Sequence, residues 1–275
     1  MTVAAPFQEK PIVLGEYRGA IAAQCEDQAF LKALSEPLLL MDSGQVFHSG
    51  RNRLAAVAPA ALGGRTREAV LKQFRPRGAD KLKTLILPSK ALKAWRGAGA
   101  LVAKGIPTPL PLAYLERKKG GLTAEGYYLA EKVSDVQEVR HLFRTLAGQE
   151  LEGLLRALAA FLKEVHGRGV LHKDLSDGNV LAGADRRGGA IFYLLDTNRV
   201  RVKKKIGLLR AAGNLVRLGV PRPAQPSFLS YYWPGRPVPR LFAAWYRFRK
   251  KWYTGTVDLK KRLGLRKLAR RLGVQ

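Results

Sequence analysis

The sequence predicts an α+β protein of two lobes, a small β-rich N-terminal lobe with one helix followed by a larger, mostly helical C-terminal lobe. Two observations carry this. The apolar period changes from about two residues to about 3.6 across residues 133–150. The chain has 275 residues, 47% of them hydrophobic, which suffices for one sizeable core or for two lobes around a cleft.

In chain order, residues 1–40 carry no readable role beyond a helix expected over 20–34. Residues 45–47, 54–57 and 69–74 are short strand-like runs, broken by Ser49-Gly50-Arg51-Asn52 and Gly63-Gly64. Residues 89–104 read as a helix ending at Gly105, and Pro107, Pro109 and Pro111 hold the next segment extended. Residues 112–115 and 126–133 read as strands around the turn Lys118-Lys119-Gly120-Gly121. Leu151, Leu154, Leu155, Leu158, Phe161, Leu162 and Val165 then repeat at i, i+3, i+4, i+7, i+10, i+11 and i+14, the stripe of a long amphipathic helix. Two short apolar segments around a polar loop follow, and the strand at 191–195 runs into Asp196. The expected organisation is an N-terminal extension (1–40), an N-lobe (41–132), a C-lobe (133–235) and a basic amphipathic tail (236–275).

Charge narrows the partners. Lys plus Arg number 49 against 21 Asp plus Glu, a formal charge of +28. The excess is uneven: residues 1–64 hold five basic and six acidic residues, whereas 236–275 hold thirteen basic residues and one acid, Asp258. Such a surface suits nucleic acid, an anionic membrane or a phosphorylated substrate. A single cysteine, Cys25, excludes a disulfide scaffold and suits a reducing compartment. No apolar run reaches the ~18–20 residues that span a bilayer. The start MTVAAPFQEK lacks the basic and apolar regions of a secretory signal, so a cytoplasmic protein is expected.

Four pieces that can carry chemistry occur in one order. Lys72 ends the run Ala69-Val70-Leu71-Lys72. Asp174 and Asn179 lie in His172-Lys173-Asp174-Leu175-Ser176-Asp177-Gly178-Asn179, and Asp196 ends a strand. Strand lysine, H-x-D-x-x-x-x-N loop and metal-binding aspartate is the order of the protein-kinase-like phosphotransferases. ATP brings about four negative charges, so catalysis is mostly positioning and neutralisation. A lysine fixed on a strand can hold the α- and β-phosphates. Asn179 and Asp196 offer hard oxygen ligands to Mg²⁺, and Asp174 can accept or orient the proton of an attacking hydroxyl. Gly178 is expected to permit a tight turn in the loop.

These segments resemble the lipopolysaccharide kinase family, whose members phosphorylate core heptose or 3-deoxy-manno-octulosonic acid (Kdo). The resemblance spans about residues 43–232 and rests also on Lys104-Gly105-Ile106-Pro107-Thr108-Pro109, Tyr128-Leu129-Ala130-Glu131, Leu195-Asp196-Thr197-Asn198-Arg199, Asn214-Leu215-Val216-Arg217-Leu218 and Phe228-Leu229-Ser230-Tyr231-Tyr232. It implies a two-lobed protein-kinase-like fold, with ATP and Mg²⁺ held by the residues above. It also implies that Ala130, Glu131 and Lys132 form the hinge meeting adenine through its backbone. Gly44 and Gly50 flank the expected phosphate loop, with Gly50 the candidate for ATP binding; no G-x-G-x-x-G is present. The implied acceptor is a lipopolysaccharide core sugar hydroxyl at the cytoplasmic face of the inner membrane.

The pattern departs from protein kinases in ways that matter. No acidic residue lies between Lys81 and Leu115, so the usual helix glutamate for Lys72 is missing, and Trp95 and Arg96 occupy its place. The metal motif reads D-T-N, and no A-P-E segment follows, so a protein substrate is not expected. Leu241, Trp245, Phe248 and Trp252, then Leu265, Leu268 and Leu272, make apolar stripes among basic residues; they fit a helix on an anionic membrane or one covering the C-lobe. Three alternatives stay open: a pseudokinase binding nucleotide or membrane without catalysis, a kinase of another small hydroxylated molecule, and a basic nucleic-acid-binding protein. No base-reading motif supports the last.

Overall fold

The computed structural model describes residues 7–49, 52–63, 68–185 and 188–263. The chain forms two compact units, one of residues 1–134 with 193–200, the other of 135–192 with 201–275.

Unit one contains β1 (Glu9–Leu14), β2 (Tyr17–Ala22), α1 (Gln28–Ser35), α2 (Pro37–Asp42), β3 (Gln45–Ser49), β4 (Asn52–Val57), β5 (Ala69–Phe74), α3 (Ala79–Leu82), α4 (Lys90–Ala103), β6 (Pro111–Lys119) and β7 (Leu122–Glu131). Among the described residues its strands form one antiparallel sheet of order β1-β2-β6-β7-β5-β4-β3. Alternation along β5 buries Ala69, Leu71 and Gln73 on one face, which puts Lys72 on the other. Lys72 stands between Leu54 of β4 and Tyr128 of β7.

Gln73, fully buried beside it, ties four strands together. Its amide donates to the Tyr127 hydroxyl (2.7 Å) and to Glu125 (3.2 Å), and Glu125 also accepts from Tyr17 and Arg117, each at 2.9 Å. Burial alone would push the Glu125 carboxyl up, but the hydrogen bonds from Tyr17, Tyr127 and Arg117 outweigh it and leave it below the usual range.

The sequence suggests a helix over 20–34, and the structure differs. Tyr17–Ala22 is a strand and the helix begins at Gln28, capped by the Asp27 carboxylate, which accepts from Phe30 N at 3.0 Å. Ala20, Ile21 and Ala22 are all buried, so this strand lacks the apolar–polar alternation that marks one. The N-terminal unit therefore carries α1, α2 and the short α3 beside α4, not one helix, and residues 9–22 are part of its sheet. These strands also support α4. The buried Trp95 indole donates to the Glu9 carboxylate of β1, and the Phe7 ring packs edge-on against it at 5.0 Å. Ser89 caps α4 by accepting from Leu92 N, and Gly105, at φ 63°, follows its end.

Unit two contains β8 (Val136–Glu138), α5 (Val139–Thr145), α6 (Gly148–Gly167), β9 (Val170–His172), β10 (Val180–Ala184), most of β11 (Ala190–Leu194) and of β12 (Val200–Val202), α7 (Leu208–Leu215), α8 (Gln225–Tyr232) and α9 (Arg240–Arg262). The stripe expected on α6 is its buried face, with Leu155, Leu158, Leu162 and Val165 at 2% exposure or less. α9 has two apolar faces. Phe242 and Tyr246, four residues apart, are buried and pack this helix onto the unit; the Lys250 ammonium, on the same side, donates to the carbonyls of Val216 (2.8 Å) and Leu218 (2.9 Å), just past α7. Burial holds the Lys250 pKa below its ordinary value, with the charge of Asp177 opposing. The stripe read from sequence faces mostly outward: Leu241, Phe248 and Trp252 are 57–65% exposed. Leu265, Leu268 and Leu272 lie outside the described residues. No helix among the described residues is long and apolar enough to cross a membrane.

Candidate active site

Unit one brings Lys72 and Asp196 together. The Lys72 ammonium bonds Asp196 Oδ1, with both side chains about three-quarters buried. The lysine that lacks a helix glutamate is thus held by Asp196. Asp196 has φ 53° and ψ 46°, a left-handed conformation rare for any residue but glycine. Strain of this kind persists only where the surroundings hold it. Here they do: the next residue, Thr197, is buried, its hydroxyl donates to Ala94 O of α4 at 2.8 Å, and it also bonds the Tyr128 phenol. A Cβ on Gly97 would stand 2.0 Å from the Thr197 carbonyl oxygen, so α4 can lie this close only because residue 97 is glycine. Thr108 donates to Leu194 O at 2.8 Å and fixes the other side of the segment. The D-T-N threonine and Gly97 lock α4 to Asp196, a connection that no short motif signals.

Unit two builds the H-x-D-x-x-x-x-N loop. The Asn179 amide donates to Asp174 O at 2.8 Å, which leaves its oxygen as the atom to offer a cation. Arg217, from the Asn214–Leu218 segment, pairs with Asp174 Oδ1 at 2.7 Å. Gly178 does not have a positive φ, so the turn does not demand glycine there; a Cβ would meet only the end of the flexible Arg140 side chain, which donates to Asp177 at 3.2 Å.

The loop is braced from behind. Asn214 Nδ2 donates to His172 O (2.8 Å), so its oxygen must accept from His166 Nε2 (3.0 Å), and His166 Nδ1 then accepts from the Tyr232 hydroxyl (2.7 Å). Burial pushes His166 down to about 4; the Asn214 bond opposes this and the charge of Lys163 adds to it. The imidazole is neutral at neutral pH, as this relay requires. His172 is buried.

The remaining candidates sit as follows. Ala130 is buried at the end of β7, the Glu131 N–H donates to Leu110 O (2.9 Å), and the Lys132 N–H donates to Glu68 O (2.8 Å). Those two expected adenine donors are therefore engaged inside unit one. Gly50 lies outside the described residues. Cys25 is fully buried.

In each unit, the side chains present suit by their chemistry the nucleotide and ion that the motifs imply. No cluster of three or more His, Cys, Asp or Glu able to hold a metal occurs among the described residues. Mg²⁺ needs none, because it takes one or two protein oxygens together with phosphates and water. Within unit one, Asp196 can offer such an oxygen beside the Lys72 ammonium, and within unit two the Asn179 amide oxygen can offer another.

Residues 81–219, just over half of the chain, match the lipopolysaccharide kinase (Kdo/WaaP) family, a span that holds Asp174, Asn179, Asp196 and Arg217 but not Lys72. No curated protein matches by sequence. Among solved structures, "WaaP in complex with acyl carrier protein" aligns with TM-score 0.55 and 17% identity, over 78% of this chain and 91% of that one. That likeness shows the protein-kinase-like fold. The PK-1 kinase of Cydia pomonella granulovirus (TM-score 0.39, 14% identity, 63% and 58% covered) and the bifunctional kinase-methyltransferase WbdD (0.42, 15%, 88% and 49%) also align.

Two predictions follow from this geometry. A helix-interior Gly→Ala change ordinarily stabilises by about 0.5–1 kcal/mol, and Gly153→Ala on α6, where a Cβ meets nothing within 4 Å, should do so. Gly97→Ala should instead cost about 2 kcal/mol or more and lower activity; thermal unfolding of both variants checks this, and equal gains would refute the packing. For His166, whose folded pKa of about 4 lies below the unfolded value, stability is complete above pH 6.5 and falls as the pH drops toward 4, because the unfolded chain then binds the extra proton. The loss should total about 3 kcal/mol. Denaturant unfolding across that range should show it in the wild type, with a flatter profile in His166→Leu; identical profiles would contradict the assignment.

Proposed function

Because the chain belongs to the lipopolysaccharide kinase (Kdo/WaaP) family, we propose that it transfers the γ-phosphoryl group of ATP to a sugar hydroxyl of the lipopolysaccharide inner core, heptose or Kdo, at the cytoplasmic face of the membrane. The observation that carries the reading is the Lys72–Asp196 pair. It gives the strand lysine an acidic partner despite the missing helix glutamate, which is the feature that favours a pseudokinase.

In this reading Lys72 binds the α- and β-phosphates, and Asp196 and Asn179 hold Mg²⁺, which would neutralise phosphate charge. Asp174 orients the acceptor hydroxyl and takes its proton as the oxygen bonds phosphorus and ADP leaves. The bond from Asn179 to Asp174 O keeps the two residues in fixed relation. The Asn214–His166–Tyr232 relay holds the loop from which they project.

The outer face of α9 supports membrane association. Leu241, Phe248, Trp252 and Leu259 are exposed among Arg240, Arg247, Arg249 and Lys251, with no acidic residue on the helix before Asp258. Aromatic and basic side chains on one exposed face suit an anionic bilayer surface, where each Lys or Arg contributes about 1 kcal/mol.

One experiment tests both parts: phosphate transfer from ATP to lipopolysaccharide core, presented on vesicles of anionic lipid and as a lipid-free oligosaccharide. Asp174→Asn should fold and sediment with vesicles but lose about 10²–10⁴-fold in rate. Phe248→Ser/Trp252→Ser should lose sedimentation yet keep its rate on the soluble acceptor. Full activity of Asp174→Asn would refute the site, and unchanged sedimentation of the double variant would refute the membrane face.

A further inference from the structure

The carboxylate expected to receive the acceptor's proton already has a partner. Asp174 Oδ1 holds the Arg217 guanidinium at 2.7 Å, so an incoming hydroxyl meets a carboxylate with one of its two oxygens already engaged by a cation. Arg217 is not buried away: its side chain is 45% exposed, and its guanidinium carbon stands 5.7 Å from the centre of the Tyr253 ring of α9. The chain around it is anchored by Lys250, which bonds the carbonyls of Val216 and Leu218 on either side.

A cationic hollow begins two residues further on. Gly219 lies against the catalytic loop, where a Cβ would meet the Asp177 carboxylate at 2.1 Å, and it is also one wall of a hollow of about 630 Å³. The other walls include Arg222, Arg247 and Lys251, with Asp258 as the one acidic member. Gly219 thus borders both the catalytic loop and the hollow, and Arg217 precedes it by two residues. A guanidinium fork binds carboxylate and phosphate bidentately, and further cations beside it add to the capture of an oxyanion.

We propose that Arg217 and this hollow are the subsite for an acidic group of the acceptor, a carboxylate or phosphate on the sugar that is phosphorylated or on its neighbour. The acid group exchanges with Asp174 for the Arg217 fork. Asp174 Oδ1, released, then accepts the proton of the attacking hydroxyl as its oxygen bonds the γ-phosphorus and the bond to ADP breaks. The kinase accordingly selects acidic acceptors, and binding one frees the engaged oxygen of its base. This rests on the functional reading above and assigns the acceptor specificity that the motifs leave open.

The test is a binding titration of the full chain, without ATP, with three probes: a lipid-free core oligosaccharide, the same oligosaccharide with its carboxylates methyl-esterified, and the same after removal of its phosphates. The wild type should bind the intact probe roughly tenfold more tightly than the form lacking the responsible acid, and the two altered probes tell carboxylate from phosphate. Arg217→Gln should abolish that preference, Arg217→Lys should retain part of it, and Arg247→Gln should weaken it about two- to fivefold. The affinity for ATP, titrated separately in the absence of acceptor, should stay unchanged in Arg217→Gln, which mere structural damage would not give. A wild-type preference kept by Arg217→Gln, or equal binding of all three probes by the wild type, overturns the proposal. Because binding is read without turnover, a chain that binds selectively but transfers no phosphate would count against the functional reading and leave the subsite standing.

Discussion

The ion pair between Lys72 and Asp196 is the constraint around which unit one is organised. It joins the middle of a sheet to a segment that leaves unit one at residue 134 and returns at 193. Alternation along β5 turns Lys72 to the face opposite Leu71 and Gln73, and the buried Gln73–Tyr127–Glu125 cluster fixes that strand against its neighbours. On the aspartate's side, a left-handed backbone at residue 196 is held by Thr197 on α4. An unpaired lysine and an unpaired carboxylate in a partly buried place would each carry a desolvation cost. Together they offset one another, and in the proposed function they set a phosphate-binding and a cation-binding group side by side.

Protein kinases couple the strand lysine to a helix through a glutamate. Here the helix coupling and the lysine coupling are separate: α4 is attached to the D-T-N segment by Thr197, Ala94 and Gly97, and the lysine is attached to the aspartate of the same segment. Trp95, which stands where the glutamate is missed, is buried and turned to Glu9 of β1. The absent acid is thus compensated by a different arrangement of the same elements, with the N-terminal strands supporting the helix from its other side.

Much of this was legible in the sequence, for reasons that differ by residue. The H-x-D-x-x-x-x-N loop and Asp196 stand out because their chemistry needs particular side chains at short, fixed spacings. The stripe on α6 stands out because one face meets a core and the other meets water. The strand at 17–22 was opaque because Ala20, Ile21 and Ala22 at its end are all buried and show no alternation. The Gly97–Thr197 contact spans a hundred positions and leaves no local mark, and Arg217 is one arginine in a chain rich in them. On α9 the aromatic stripe was visible, but which face packs was not: Phe242 and Tyr246, one position beyond Leu241 and Trp245, take the buried role.

The central claim is that Lys72 and Asp196 form one nucleotide and metal site. Thermal unfolding with ATP, with Mg²⁺ and with both, for the wild type, Lys72→Met and Asp196→Asn, tests it most directly. At a ligand concentration of 100 times Kd the stabilisation should be about 2.7 kcal/mol. The account predicts a rise in midpoint that needs both ligands in the wild type and is lost in either variant. A rise with ATP alone, or one that Asp196→Asn retains in full, would contradict it.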